Sequence, residues 1–188
     1  MSAPDVGFFI DAPTFDGSSD FRESMLRLGR MQNVSVDEAC AASHVDDPLL
    51  CFMAPYATPF VSRPMFLFNS RFDQFQLGAI LKQMNWTTET QRAAVEAFGD
   101  TFLKQLEASV LFDSKNGAFI STCICHGCPW DDLYLDKRKS FAHYVAWMTG
   151  APGSHVHIDT RSPNGGGGFD GEKCQAFLPP ALAPASPA

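Results

Sequence analysis

At 188 residues with 45% apolar content, the chain is long enough to bury a core and too apolar to be disordered throughout. Its net charge of -7, with no basic stripe beyond Lys137, Arg138 and Lys139, excludes the electrostatic footprint of a nucleic-acid binder. No apolar run approaches the roughly 20 residues of a membrane helix, and the N-terminal M-S-A-P-D-V-G-F-F-I-D lacks the basic flank and apolar stretch of a secretory signal.

Val6 to Ile10, short, apolar and followed by Asp11 and Pro13, reads as a buried strand leading into a loop. Phe21 to Arg30 reads as a helix that starts at Ser19 or Asp20, carries Phe21, Met25 and Leu28 at helical spacing, and closes at Gly29. Cys40 and Cys51 bracket a loop holding Asp46, Asp47 and Pro48. Pairing them ties that loop by about 2 to 3 kcal/mol in the loop-entropy picture, the alternative being two buried thiols. Pro64 to Asn69 (P-M-F-L-F-N) is expected to be a strand, and Phe75 to Met84 a helix packed on the sheet through Phe75, Leu77, Ile80, Leu81 and Met84.

Thr88 and Gln91 form the S/T-x-x-E/Q capping box of a longer helix, whose core face carries Val95, Phe98, Phe102, Leu106 and Val110. A second strand covers Gly117 to Thr122 (G-A-F-I-S-T), and Ser140 to Met148 is a short helix with Phe141, Tyr144, Val145 and Met148 facing inward. Beyond Gly150 the composition turns to Pro, Ser and Gly, including Gly165 to Gly168, so residues 151–188 are expected to form a disordered tail. Strands and helices in alternation across residues 1–150 favour an α/β fold with a mostly parallel sheet.

In such a sheet, polar side chains at the carboxyl ends of the strands point into the usual site crevice, which singles out Asp73 and His126. A serine hydrolase needs a nucleophile, an imidazole to take its proton and a carboxylate to fix the imidazole's tautomer. Asp73 and His126 supply the last two in the chain order of α/β-hydrolases. No G-x-S-x-G occurs, and Gly17-Ser18-Ser19-Asp20 and Gly153-Ser154-His155 read as turns.

Other readings of these residues stay open. An aspartate between a strand and a helix also serves as an N-cap. Cys123, Cys125, His126 and Cys128 (C-I-C-H-G-C) are zinc-ligand types that Cys174 can join, although four ligands in six residues crowd a tetrahedral ion, and His155 and His157 read equally as tail surface. Cys125 and Cys128 also have the C-x-x-C spacing of a dithiol pair, a motif that belongs at an early helix start and not after a late strand. A noncatalytic domain that holds a polysaccharide or a protein is a further alternative.

Four segments in order, D-V-G-F-F-I-D (Asp5 to Asp11), L-L-C-F-M-A-P-Y (Leu49 to Tyr56), P-M-F-L-F-N-S-R-F-D-Q-F-Q-L (Pro64 to Leu77) and N-G-A-F-I-S-T-C-I-C-H (Asn116 to His126), resemble the later half of the pectin acetylesterase family, which includes the animal Notum carboxylesterases. The resemblance covers about residues 5–150. It implies the C-terminal part of an α/β-hydrolase fold with an incomplete N-terminal half, Asp73 as triad acid in the F/Y-D-x-x-Q segment and His126 as triad base in the C-x-x-H segment. It places the nucleophilic serine, in a G-C-S-A-G-G segment, and the oxyanion hole upstream of this sequence.

The implied activity is hydrolysis of carboxylic esters: acetyl groups on pectin in plant and microbial members, a fatty acyl group on Wnt proteins in Notum. No metal or organic cofactor is implied, and the substrate is an acetylated polysaccharide or an acylated protein. The chain then reads as a C-terminal fragment or truncated reading frame, inactive alone and poorly soluble because half a sheet leaves an open edge. Six cysteines and the sequons at Asn33 and Asn85 fit a secretory setting for the full-length protein. Phe75 stands where plant members usually have Trp, Gly127 where many have Cys, and Cys125 where the family commonly has a small residue, which leaves the pairing of Cys123, Cys128 and Cys174 open.

Overall fold

The computed structural model describes residues 3–4, 7–82, 87–128, 130, 133–135 and 137–160. Residues 7–12 have no regular structure and join no β-ladder, with Phe8 and Ile10 buried and the Phe9 N–H turned back to the Gly7 carbonyl at 3.1 Å. The strand expected at Val6 to Ile10 is corrected accordingly: the Gln76 side chain accepts a hydrogen bond from the Ile10 N–H at 3.0 Å and donates one to the Phe8 carbonyl at 3.0 Å, replacing a neighbouring strand. Val6 itself lies outside the described residues.

Helix α1 (Asp20–Met31) has Ser19 at its N-cap and Asp20 and Glu23 in its first turn, where negative charge meets the unpaired N–H groups. Gly29 does not close it. That residue is buried inside the helix because Val34, Phe52 and Leu49 leave little room for a Cβ, and the chain turns at Asn33, where φ is 47°. Next comes α2 (Glu38–Ser43), capped by the Asp37 carboxylate, then a 3-10 turn at Pro48–Phe52 and the short helix α3 (Ala54–Ala57). The expected Cys40–Cys51 disulfide joins α2 to the 3-10 turn.

Strand β1 (Phe66–Ser70) is buried along its whole length. After it comes α4 (Gln74–Gln76), which runs on as a π-turn over Leu77–Leu81 and ends at Lys82 in a left-handed conformation. Leu77, Ile80 and Leu81 face the core as expected, but Phe75 is 53% exposed, a correction to its inward placement. Gln76 takes the inward position to serve Phe8 and Ile10, and the side chain one residue earlier is turned about 100° away. Met84 and the Asn85 sequon lie outside the described residues.

Helix α5 (Glu89–Ser109) begins with the expected capping box of Thr88 and Gln91 and buries Val95, Phe98, Phe102 and Leu106, with Val110 buried at its C-cap. It lies so close to the turn after β1 that a Cβ on Gly99 would overlap the Phe72 ring. Strand β2 (Gly117–Ser121) pairs in parallel with β1, from Phe66↔Gly117 to Ser70↔Ser121. A ribbon of β3 (Tyr134–Leu135) and β4 (Arg138–Lys139) leads into α6 (Ser140–Met148). The bounds of α6 match expectation and its inward face does not: Ser140, His143 and Trp147 are buried, while Phe141 and Met148 are 55% and 41% exposed. Polar anchors set that rotation. The Trp147 indole donates to the Lys115 carbonyl at 2.9 Å, and His143 contacts the Leu135 carbonyl at 3.1 Å.

Strand β5 (Val156–Ile158) then pairs in parallel with the free edge of β2, giving the sheet order β1-β2-β5. For residues 151–160 this corrects the expectation of a disordered tail. Backbone pairing needs no apolar composition: the Ala118 N–H donates to the His155 carbonyl and the Asp159 N–H to the Ile120 carbonyl, both at 2.9 Å. Residues 161–188, including the glycine run and Cys174, lie outside the described residues.

Pleating splits each strand between two layers. Leu67, Ala118 and Ile120 pack with Phe102 and Leu106 of α5, while Phe66, Phe68 and Phe119 pack with Trp147 of α6. Cover on both faces explains why β1 and β2 read as continuous apolar runs.

Candidate active site

β1 and β2 end side by side, and the two turns that leave them are laced together. The Arg71 N–H donates to the Ser121 carbonyl at 2.7 Å, the Ser70 hydroxyl donates to the Cys123 carbonyl, and the Gln74 N–H donates to the Cys125 carbonyl at 3.3 Å. These bonds bring together two side chains 53 positions apart: Nδ1 of His126 lies 2.8 Å from Oδ2 of Asp73. The other oxygen, Oδ1, accepts the Gln76 N–H at 2.8 Å. Helix cap and imidazole partner, which compete as readings of the sequence, are therefore both true, one oxygen each.

Asp73 is fully buried, whereas the His126 side chain is 38% exposed. Burial pushes the Asp73 carboxyl above the ordinary aspartate range, against the hydrogen bonds from Gln76 and His126 that pull it down. A carboxyl that holds its proton more tightly when folded contributes stability that is fully present below the unfolded value of 3.8 and is lost as pH rises through the raised folded value. The melting temperature of the wild type is therefore expected to fall relative to Asp73→Asn as pH rises above 3.8, in melts at closely spaced pH. Parallel curves would contradict the burial effect.

The imidazole opens onto a cavity of about 490 Å³ lined by Gln74, Phe75, Gly78, Ala79 and His126. The Phe75 and Phe9 rings stand 5.3 and 6.3 Å from the His126 ring and meet each other edge to face at 5.6 Å. A larger cavity of about 740 Å³ lies alongside α1, among Asp20, Glu23, Arg27, Arg30 and Lys82, and does not reach His126. Only the smaller one is lined by His126.

Two contributors escaped sequence reasoning. Phe9 was read as strand interior; its signal is the alternation Phe8, Phe9, Ile10, which turns only the middle ring outward. Gln76 sits three residues after the capping aspartate, where the N–H is the cap's target, and a glutamine there that is fully buried has polar work to do.

The cysteines around His126 are oxidised. Cys125 and Cys128 are bonded to each other across His126 and Gly127, and Cys123 is also in a disulfide. With Cys123, Cys125 and Cys128 in disulfides and His126 turned to Asp73, these residues offer no set of thiolates to zinc, while the Cys125–Cys128 bond is the oxidised form that a C-x-x-C pair takes. His155 and His157 are half-buried at and in β5, with the His157 ring 3.7 Å from that of His143. Ser18 and Ser154 are turn residues as expected, bonded to Thr14 and Val156 respectively.

A family model described as Pectinacetylesterase matches residues 1–144. The chain belongs to the pectinacetylesterase family. Among curated relatives it is similar to pectin acetylesterase 7 and pectin acetylesterase 11 of Arabidopsis thaliana, at 23% identity over 137 residues and 26% over 139. Each match covers 65% of this pectinacetylesterase-family chain and 35% of the relative, so the chain spans about a third of their length. Two crystal forms of the Wnt deacylase Notum from Drosophila share its fold, with TM-scores of 0.73 and 0.72 at 18% identity, over 85% of this chain and 45% and 46% of theirs. The described sheet and helices are thus part of an α/β-hydrolase fold, with β1, β2 and β5 as its parallel strands.

Proposed function

We propose that this chain carries the acid and base of a serine carboxylesterase, with Asp73 as the triad acid and His126 as the triad base. The observation that carries this reading is the 2.8 Å contact from a fully buried carboxylate to the Nδ1 of a part-exposed imidazole, at the ends of adjacent parallel strands. With Nδ1–H held by Asp73, Nε2 is the nitrogen that takes the proton of a serine hydroxyl as the hydroxyl attacks the ester carbonyl. The same proton passes to the departing alcohol. His126 then deprotonates water, which releases the acid from the acyl-enzyme, while Asp73 stabilises each imidazolium formed on the way.

The serine and the oxyanion donors come, in this reading, from the part of the family's length that the chain does not span, and residues 1–188 alone do not turn over ester. The substrate is an acetylated polysaccharide or an acylated protein, consistent with what the relatives are named for. No metal takes part in the scheme. Disulfides at Cys40–Cys51 and Cys125–Cys128 support a full-length protein that matures in the secretory pathway. Among the described residues no helix is long and apolar enough to cross a membrane.

The test is an aryl acetate assay of the protein expressed together with its upstream coding sequence. His126→Ala is expected to lower kcat by at least about 10³-fold. Equal turnover by wild type and variant would end the assignment. A wild type that binds acetylated pectin or a protein without any turnover would replace the esterase with a noncatalytic binding domain.

A further inference from the structure

We propose that the Cys125–Cys128 disulfide is a positioning device for His126, holding the imidazole in reach of Asp73; the proposal rests on the esterase reading above. The bond closes a loop that contains two residues, His126 and Gly127, with its Cα atoms 5.5 Å apart. A cross-link stabilises a fold mainly by restricting the unfolded chain, and the effect shrinks with the loop it closes. Cys40–Cys51 spans a sequence separation of 11 and can act in that way; a separation of 3 restricts little beyond the residues it encloses. Its consequence is therefore local.

What it restricts is the base. Gly127 is exposed, has a φ of 63° and has nothing within 4 Å of the place a Cβ would occupy, so it is a permissive joint with no packing of its own. Cys125 and Cys128 on either side are 2% and 5% exposed, sunk in the aromatic layer with Phe66, Phe68 and Phe119. Two buried anchors thus flank a part-exposed imidazole followed by a glycine, and the sulfur bridge removes the freedom that the glycine would otherwise give. The first anchor is also tied to the acid's turn, because the Cys125 carbonyl accepts the N–H of Gln74, the residue after Asp73. Base and acid are registered through the same loop.

The experiment compares wild type, His126→Ala and the double variant Cys125→Ala/Cys128→Ala, each expressed with the upstream coding sequence, by steady-state kinetics and melting. The double variant is expected to lose about 10- to 100-fold in kcat, the scale of a misplacement of an ångström or less, with KM and melting temperature near wild type. In parallel, the same proteins with labelled histidine are examined by proton NMR, where the low-field Nδ1–H signal of His126 is expected in the wild type and lost in the double variant. Wild-type kcat together with a retained low-field signal would overturn the proposal. So would a double variant that cannot fold, because the bond would then be a global staple. The two readings fail separately: His126→Ala with undiminished kcat removes the esterase, whereas an inactive His126→Ala beside a fully active double variant removes only the role of the disulfide. If the esterase fails, the NMR arm still decides whether the bridge positions the imidazole.

Discussion

On the proposed triad, Asp73→Asn in the protein expressed with its upstream coding sequence is expected to lower kcat by about 10⁴-fold while leaving the fold in place. Asparagine caps a helix as well as aspartate does, so its Oδ1 continues to accept the Gln76 N–H now held at 2.8 Å. The amide nitrogen then faces His126. It donates where Oδ2 accepted, which forces Nδ1 to act as acceptor and puts the ring proton on Nε2, the nitrogen that must be bare to receive the serine's proton. A neutral amide also escapes the burial cost of a carboxylate, so the melting temperature is not expected to fall. Kinetics and melting on one preparation separate the two effects, and a folded variant with full turnover would remove Asp73 from the triad.

Phe102→Ala is expected to cost about 3 to 5 kcal/mol in chemical denaturation. Phe102 is fully buried in the middle of α5 and meets the Phe8 ring edge to face, with centroids 5.6 Å apart. Its removal takes away contact with the sheet and opens a void under residues 7–12, the segment that Gln76 holds. Against the 5 to 15 kcal/mol of a typical domain, such a loss leaves little margin. The damage should also reach the site, since Phe8 is followed by Phe9, one of the two rings beside His126. A loss below about 1 kcal/mol would mean that α5 does not pack on the sheet as described.

How far the sequence carried the reading depended on which force shaped each segment. Where burial or capping rules, it was legible: the apolar runs became β1 and β2, the capping box opened α5, and Ser140 to Met148 became α6. The meeting of Asp73 and His126 follows the same logic, as polar side chains just past two buried strands. Where polar pairing with a distant segment rules, local pattern fell short. Phe75 faces outward because Gln76 is bound to Phe8 and Ile10, more than sixty positions earlier, and no window around Phe75 contains that information. β5 forms in a stretch of unremarkable composition because β2 offers it a backbone edge. Residues 7–12 have a strand's alternation without a strand's partner, since one side chain stands in for the ladder.

The parallel pairing of β1 with β2 has a temporal consequence. Phe66 meets Gly117 only after the whole of α5 has crossed over, a contact of long range in the chain, and contacts of that kind form slowly. The carboxylate and the imidazole are carried on the turns just past that pairing, so they meet only once β1 and β2 have paired. The 2.8 Å contact between them is thus a reporter of that pairing, and it is expected to vanish wherever β1 and β2 come apart.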